Sequence, residues 1–218
     1  MDVSLRRHTD LLAERYPALK DCVPDVIRAY DVLETCFSSG RKLLIAGNGG
    51  SCADAEHLVG ELMKGFKRKR KCPETFAEKL KAVDGVRGAL LAGKLQGGLP
   101  AIALNSHPGL HSAFINDVSD GGLLTYAQQT YGYGGEGDVF LGVSTSGNAQ
   151  NVMNAAVVAR ALGMKVVALT GETGGELAKF ADVAVKAPAS ETYMVQELHL
   201  PIYHCLCLML EERFFPED

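Results

Sequence analysis

The sequence predicts an α/β protein, a three-layer α/β/α sandwich around a five-stranded parallel sheet, with a pair of helices in front. Three observations point there. Short apolar runs recur at residues 42–46, 101–104, 139–143, 166–169 and 183–185. Each is followed by a stretch of helical character, the rhythm of parallel strands with helical crossovers. The runs are continuously apolar rather than alternating, as in strands covered on both faces.

Taken in order, residues 5–38 read as two helices. Leu11, Leu12 and Tyr16, and then Val26, Ile27, Tyr30, Leu33 and Phe37, recur at helical spacing. Pro24 suits the first turn of the second helix, where its missing N–H costs nothing. The first strand stops at Gly47-Asn48-Gly49-Gly50, and a helix continues through Met63. Residues 65–99 interrupt the rhythm with a basic run, a Pro73-led helix and a second helical stretch near 86–95. About 30 residues rarely form an independent core, so this is an excursion (66–99) within one domain spanning 1–218, after N-terminal helices over 1–40. The remaining strands and helices follow, and the last helix carries Pro201, which must remove one backbone bond.

The bulk numbers exclude several classes. Of 218 residues, 47% are hydrophobic and 22% charged, ordinary globular usage, and the length suits one substantial core. A net charge of −4 gives no reason to expect nucleic acid or an acidic membrane as a partner. The run Lys67-Arg68-Lys69-Arg70-Lys71 reads as a solvated face. Cys22, Cys36, Cys52, Cys72, Cys205 and Cys207 form no CxxC pair, and residues 1–20 do not read as a signal peptide. Reduced thiols in a soluble, cytoplasmic protein are the expectation. No apolar run approaches the ~20 residues of a membrane span.

Ligands of open parallel sheets bind beyond the carboxyl ends of the strands. Two of those ends are rich in Gly and Ser and open helices: Gly47-Asn48-Gly49-Gly50-Ser51 and Ser144-Thr145-Ser146-Gly147-Asn148. Glycines admit backbone N–H groups to an anion, hydroxyls add donors, and helix N-termini add unpaired N–H groups. Tight turns with Ser caps would account for either loop alone; two at equivalent strand ends favour a phosphate. Neither has the spacing of GxxxxGK[ST] or GxGxxG, so a small phosphorylated ligand fits better than a nucleotide.

Beyond the first loop, His57 and Glu61 are four apart and share a helix face. Alone, such a pair is usually a surface ion pair. The last helix carries Gln196, His199 and His204 among apolar residues, where histidines are ordinarily satisfied core groups. Two His, a Glu and a Gln have the donor chemistry of a zinc site, but spacing alone does not assert a metal.

In combination, GNGGS, DAxHxxxEL, ND, GDVxLGxSTSGN and QExHxxxxH, running in register from Arg41 to His204 apart from the excursion, resemble the phosphoheptose isomerases. That resemblance implies the SIS-type, flavodoxin-like fold and interconversion of sedoheptulose 7-phosphate with D-glycero-D-manno-heptose 7-phosphate, an entry to surface heptose. It implies substrate contacts from Asn48, Gly49, Gly50, Ser51, Glu61, Asn116, Asp117, Ser144, Thr145, Ser146 and Gln196. It further implies zinc on His57, Glu61, Gln196 and His204, with Glu61 and His204 as the acid–base pair, and a homotetramer with active sites between subunits. Two departures stand out. Ala149 occupies a position where the family usually has Ser, and the excursion is longer than the family's link and carries Lys and Arg near the expected site.

The chemistry such a site would perform is proton transfer between adjacent carbons through an enediol. Glu61 is the candidate base, His204 the candidate acid, and zinc would polarise the carbonyl. The competing classes are a non-catalytic SIS protein, of the sugar-phosphate-sensing or replication-initiator-associating type, and an SIS enzyme of other chemistry, such as a hexose-phosphate isomerase or an amino-sugar phosphate lyase. A pure binder has no requirement for Glu61, Gln196 and His204 together.

Overall fold

Five strands form where the apolar runs stand, and the computed structural model describes residues 3–216. They are β1 (Leu43–Gly47), β2 (Ala101–Ala103), β3 (Val139–Ser144), β4 (Lys165–Thr170) and β5 (Val183–Lys186), all parallel, in the order β2-β1-β3-β4-β5. Leu43 pairs with both Ala101 and Val139, Val139 with Lys165, and Val167 with Val183. The order reverses between β1 and β3. In doubly wound sheets that reversal opens a crevice at the carboxyl ends of the two strands.

Alternate residues of each strand serve opposite faces, and both faces are covered. Leu43, Ile45, Leu141, Val143 and Leu169 pack against α2 (Val23–Ser38), α3 (Gly50–Met63) and α10 (Thr192–Phe214), with α1 (Val3–Arg15) adding Leu5 and Leu12. Leu44, Ala46, Phe140, Val166 and Ala168 meet α7 (Gly121–Tyr133), α8 (Gln150–Ala161) and α9 (Leu177–Phe180). Each buried Leu, Ile, Val or Phe contributes about 1.5–3 kcal/mol through removal from water, and this two-sided burial is why the runs are strands rather than helices.

A 3₁₀ turn, Pro17–Cys22, separates α1 from α2, and Pro24 lies in the first turn of α2 as expected. Pro201 lies within α10, which runs on to Phe214. Between β2 and β3 come two helices, α6 (Pro108–Asp117) and α7. No residue of α6 is buried, and its Leu110 and Ile115 are exposed.

The excursion is a helical hairpin, α4 (Glu74–Val83) and α5 (Gly85–Ala92), whose helices pack chiefly on each other. Asp84 caps α5, accepting from Val86 N at 3.1 Å and Arg87 N at 2.8 Å. Its base is a narrow neck. Gly65 N donates to Gln96 Oε1 at 2.7 Å, Gly97 N donates to Arg70 O at 2.9 Å, and Lys71 bridges to Gln96. One expectation is corrected here: the basic run is not uniformly solvated. Lys67, Lys69 and Lys71 are exposed, but Arg70 is 2% exposed. Among the described residues no helix is long and apolar enough to cross a membrane.

Candidate functional site

The two Gly- and Ser-rich loops follow β1 and β3, the strands that flank the crevice. Both lead directly into helix N-termini, α3 at Gly50 and α8 at Gln150. Asn48 and Asn151 join them with a reciprocal amide pair, 2.8 and 2.9 Å. Ser51 and Ser144 are buried at the rim, while Asn48, Gly49, Gly50 and Ser146 are exposed and Thr145 is half-buried. Gly147 has φ +68° and lies against the Gly174 carbonyl, where a Cβ would stand 2.1 Å from the oxygen; only glycine fits that turn. The Ser146 hydroxyl accepts from Asn148 N at 3.2 Å, which keeps this turn closed.

Gln196 lies over the first loop. A Cβ at Gly50 would come within 2.5 Å of its Nε2, so the missing side chain at Gly50 makes the space that Gln196 fills. This packing brings the start of α10 to the start of α3.

Further along the same two helices a polar cluster assembles. His57 Nε2 is 3.2 Å from Glu61 Oε1, one helical turn on, and 3.4 Å from His204 Nε2 across the interface. Tyr203 supports it from behind: its hydroxyl donates to Asp54 Oδ1 at 3.1 Å and lies 3.0 Å from His57 Nδ1. An ionised Asp54 can only accept, so the tyrosine proton goes to Asp54 and the tyrosine oxygen takes the His57 Nδ1–H. That assignment leaves the Nε2 lone pair of His57 facing Glu61 and His204. Burial pushes the Asp54 carboxyl up, against the pull of the Tyr203 hydrogen bond. Burial also pushes the Tyr203 hydroxyl up, with Asp54 adding to it, so the phenol stays a donor. His204 is held below its ordinary value by burial and by the neighbouring His57 ring, with Glu61 opposing. Lys64 Nζ reaches Glu61 Oε2 at 3.5 Å from the solvent side.

The structure therefore joins His57, Glu61 and His204, and places Gln196 against the first loop. It does not join Asn116 and Asp117 to them. Those two lie at the exposed end of α6 and bond each other at 2.9 Å, and among the described residues they form no hydrogen bond to the other candidates. His199, the other histidine of α10, is fully buried on the opposite side, its Nε2 3.2 Å from the Thr170 carbonyl. Among the described residues no group of three or more His, Cys, Asp and Glu side chains is arranged to hold a metal ion. Sequence reasoning missed Asp54 and Tyr203 as supports. The signal was present: Asp54 lies three before His57, on the same helix face, and Tyr203 adjoins His204.

The SIS domain family model matches residues 112–209. The phosphoheptose isomerase of Geotalea daltonii is 36% identical over 194 residues, covering 89% of this chain and 86% of the relative. That of Aneurinibacillus thermoaerophilus is 35% identical over 179 residues, covering 82% and 76%. The structure of the phosphoheptose isomerase from Neisseria gonorrhoeae superposes with a TM-score of 0.71 at 28% identity, over 95% of this chain and 98% of that one.

Proposed function

The chain belongs to the phosphoheptose isomerase family, and from that membership we propose that it interconverts sedoheptulose 7-phosphate and D-glycero-D-manno-heptose 7-phosphate. The observation that carries the reading is the convergence of Glu61 and His204 on His57, along the helix that rises from the first of two loops at the sheet's crevice.

In this reading the phosphate sits between the loops, taking hydroxyl donors from Ser51, Ser144, Thr145 and Ser146 and unpaired N–H groups from the α3 and α8 N-termini. Asn48, Gly49 and Gly50 line the sugar, and Gln196 orients its hydroxyls. Glu61 removes the proton from the carbon beside the carbonyl and returns it to the neighbouring carbon. His204, kept largely neutral by burial and by His57, passes protons between the two oxygens. Asp54 and Tyr203 hold His57 in one tautomer, and through it fix where Glu61 and His204 stand.

Zinc belongs to the proposal. Two ligands on a tetrahedral zinc with bonds near 2.05 Å lie about 3.3 Å apart, and the Nε2 atoms of His57 and His204 are 3.4 Å apart. His57, Glu61 and His204 would hold it after their side chains close on a common point, and Gln196, which lies against Gly50, would have to turn toward them to be the fourth donor. When bound, zinc polarises the substrate carbonyl as a Lewis acid. The proposal includes a homotetramer in the cytoplasm with sites between subunits, supported by the separation of Asn116 and Asp117 from the cluster within one chain.

The test is incubation of the zinc-loaded protein in D₂O with sedoheptulose 7-phosphate, beside a panel of hexose and pentose phosphates. Conversion of the heptose with deuterium at the carbon next to the carbonyl is expected. Glu61→Gln should lose both by about 10²–10⁴-fold. A wild type that binds sugar phosphates but neither turns over nor exchanges them would make it a non-catalytic binder.

A further inference from the structure

Arg70 lies in a run of five basic residues, yet it is buried and its side-chain hydrogen bonds lead to the candidate site's two helices. Its Nη2 donates to the Glu61 carbonyl at 2.8 Å and its Nη1 to the Leu62 carbonyl at 2.6 Å. Its Nε donates to Glu211 Oε1 at 2.9 Å, and its guanidinium lies 4.6 Å from the Phe215 ring centroid. The chain leaves helical geometry at Lys64, so the last carbonyls of α3 lack intrahelical partners; the Arg70 fork donates to two of them, sharing Leu62 O with Leu99 N at 2.9 Å.

Glu211 is the anchor. It is 1% exposed and accepts from Phe66 N at 2.8 Å, Lys67 N at 2.9 Å and Arg68 N at 3.2 Å besides Arg70. Burial pushes its carboxyl up, but the Lys67 and Phe66 N–H groups and Arg70 more than offset this and hold it below the ordinary range. Glu211 follows His204 by seven residues, two turns along the same face of α10. The guanidinium thus spans from the backbone of Glu61 to the face of the helix that carries His204.

A buried Arg–Glu pair contributes little net stability beside apolar packing of equal volume, so what distinguishes this one is the geometry it fixes. We propose that Arg70, seated by Glu211, is a positioning residue for isomerisation, setting the height and tilt of the Glu61 turn against His204. This rests on the reading of Glu61 and His204 as the acid–base pair. The substrate's phosphate loops lie at the opposite end of α3, outside its reach.

The test uses the full-length zinc-loaded protein with sedoheptulose 7-phosphate, at a temperature where circular dichroism finds every variant folded. Arg70→Met keeps an unbranched side chain in the buried slot and removes all three donors together with the guanidinium's contact on Phe215. A displacement of about 1 Å at a reacting group costs up to ~10²-fold, so kcat should fall about 10- to 100-fold with KM changed less than about twofold. Arg70→Lys keeps a charge for Glu211 but cannot reproduce the planar fork; it should recover thermal stability and not kcat. In a Glu61→Gln background, Arg70→Met should leave the residual rate unchanged, because the group being positioned is already gone. A wild-type kcat in Arg70→Met, or an equal fold-loss in both backgrounds, overturns the inference. If Arg70→Met does not fold, Arg70→Lys decides alone: reduced kcat at unchanged KM supports it, full kcat overturns it. Normal turnover by Glu61→Gln would overturn the acid–base reading itself, whereas an inactive Glu61→Gln beside a fully active Arg70→Met overturns only the role of Arg70.

Discussion

His199 offers a prediction that depends on the fold and not on the reaction. Its Nε2 faces the Thr170 carbonyl, which can only accept, so Nε2 carries the proton and Nδ1 the lone pair. Among the described residues Nδ1 is buried without a partner, and a second proton there would be an uncompensated charge in the core. Burial accordingly takes the imidazole from 6.5 down to about 4, against the pull of the Thr170 bond. The unfolded chain takes up this proton first as pH falls, so the folded state loses stability between about 6.5 and 4 and is unaffected above that window. With those two values, linkage gives a loss of about 2 kcal/mol between pH 7.5 and 5, and about 3 kcal/mol below pH 4. For a domain of this size 2 kcal/mol is about 4–8 °C in Tm. The assay is thermal or urea unfolding of wild type and His199→Leu across that range in the presence of chelator. The variant gives up the Thr170 bond at every pH, but its stability should fall by about 2 kcal/mol less than wild type's between pH 7.5 and 5. Parallel pH profiles for the two proteins would refute the argument.

Three further outcomes follow from the site. Ser146→Ala removes a hydroxyl from the second loop, and since a hydrogen bond to a charged group is worth about 1.5–3 kcal/mol, KM should rise about tenfold or more at steady state. Gly50→Ala places a Cβ 2.5 Å from Gln196 Nε2 and must displace that side chain; substrate affinity by calorimetry should fall while Tm changes little, the loop being exposed at this point. Elemental analysis should find about one zinc per chain, and dialysis against chelator should abolish turnover; full activity in metal-free protein would remove zinc from the proposal.

The sheet was legible because burial on both faces leaves short, unbroken apolar runs, and each observed strand falls within two residues of such a run at either end. His57 and Glu61 were legible as a pair because helical spacing alone puts them on one face. What sequence patterning lacks is the path of the chain outside regular elements. A charge run reads as solvated on composition, and only the tertiary course between α3 and the hairpin turns Arg70 inward onto Glu211. Likewise nothing local distinguishes His199 from His204. They are five residues apart on one helix, and the sheet on one side and α3 on the other make one a core group and the other a site group. The helical stretch after the second run was legible, but not its division into α6 and α7, because α6 buries nothing that would mark its bounds.

The neck formed by Gly65, Arg70, Lys71, Gln96 and Gly97 makes the hairpin a module with a single doorway. Chain enters and leaves side by side, so whatever lies between these contacts can change length without asking the sheet to move. Doubling such a segment adds only about 0.6 kcal/mol of closure entropy. The position is therefore a natural port for grafting: a peptide epitope or a small folded domain could replace residues 72–95 while the neck keeps its register. It is equally a place where relatives of this chain can diverge freely in length while the elements around it stay in place.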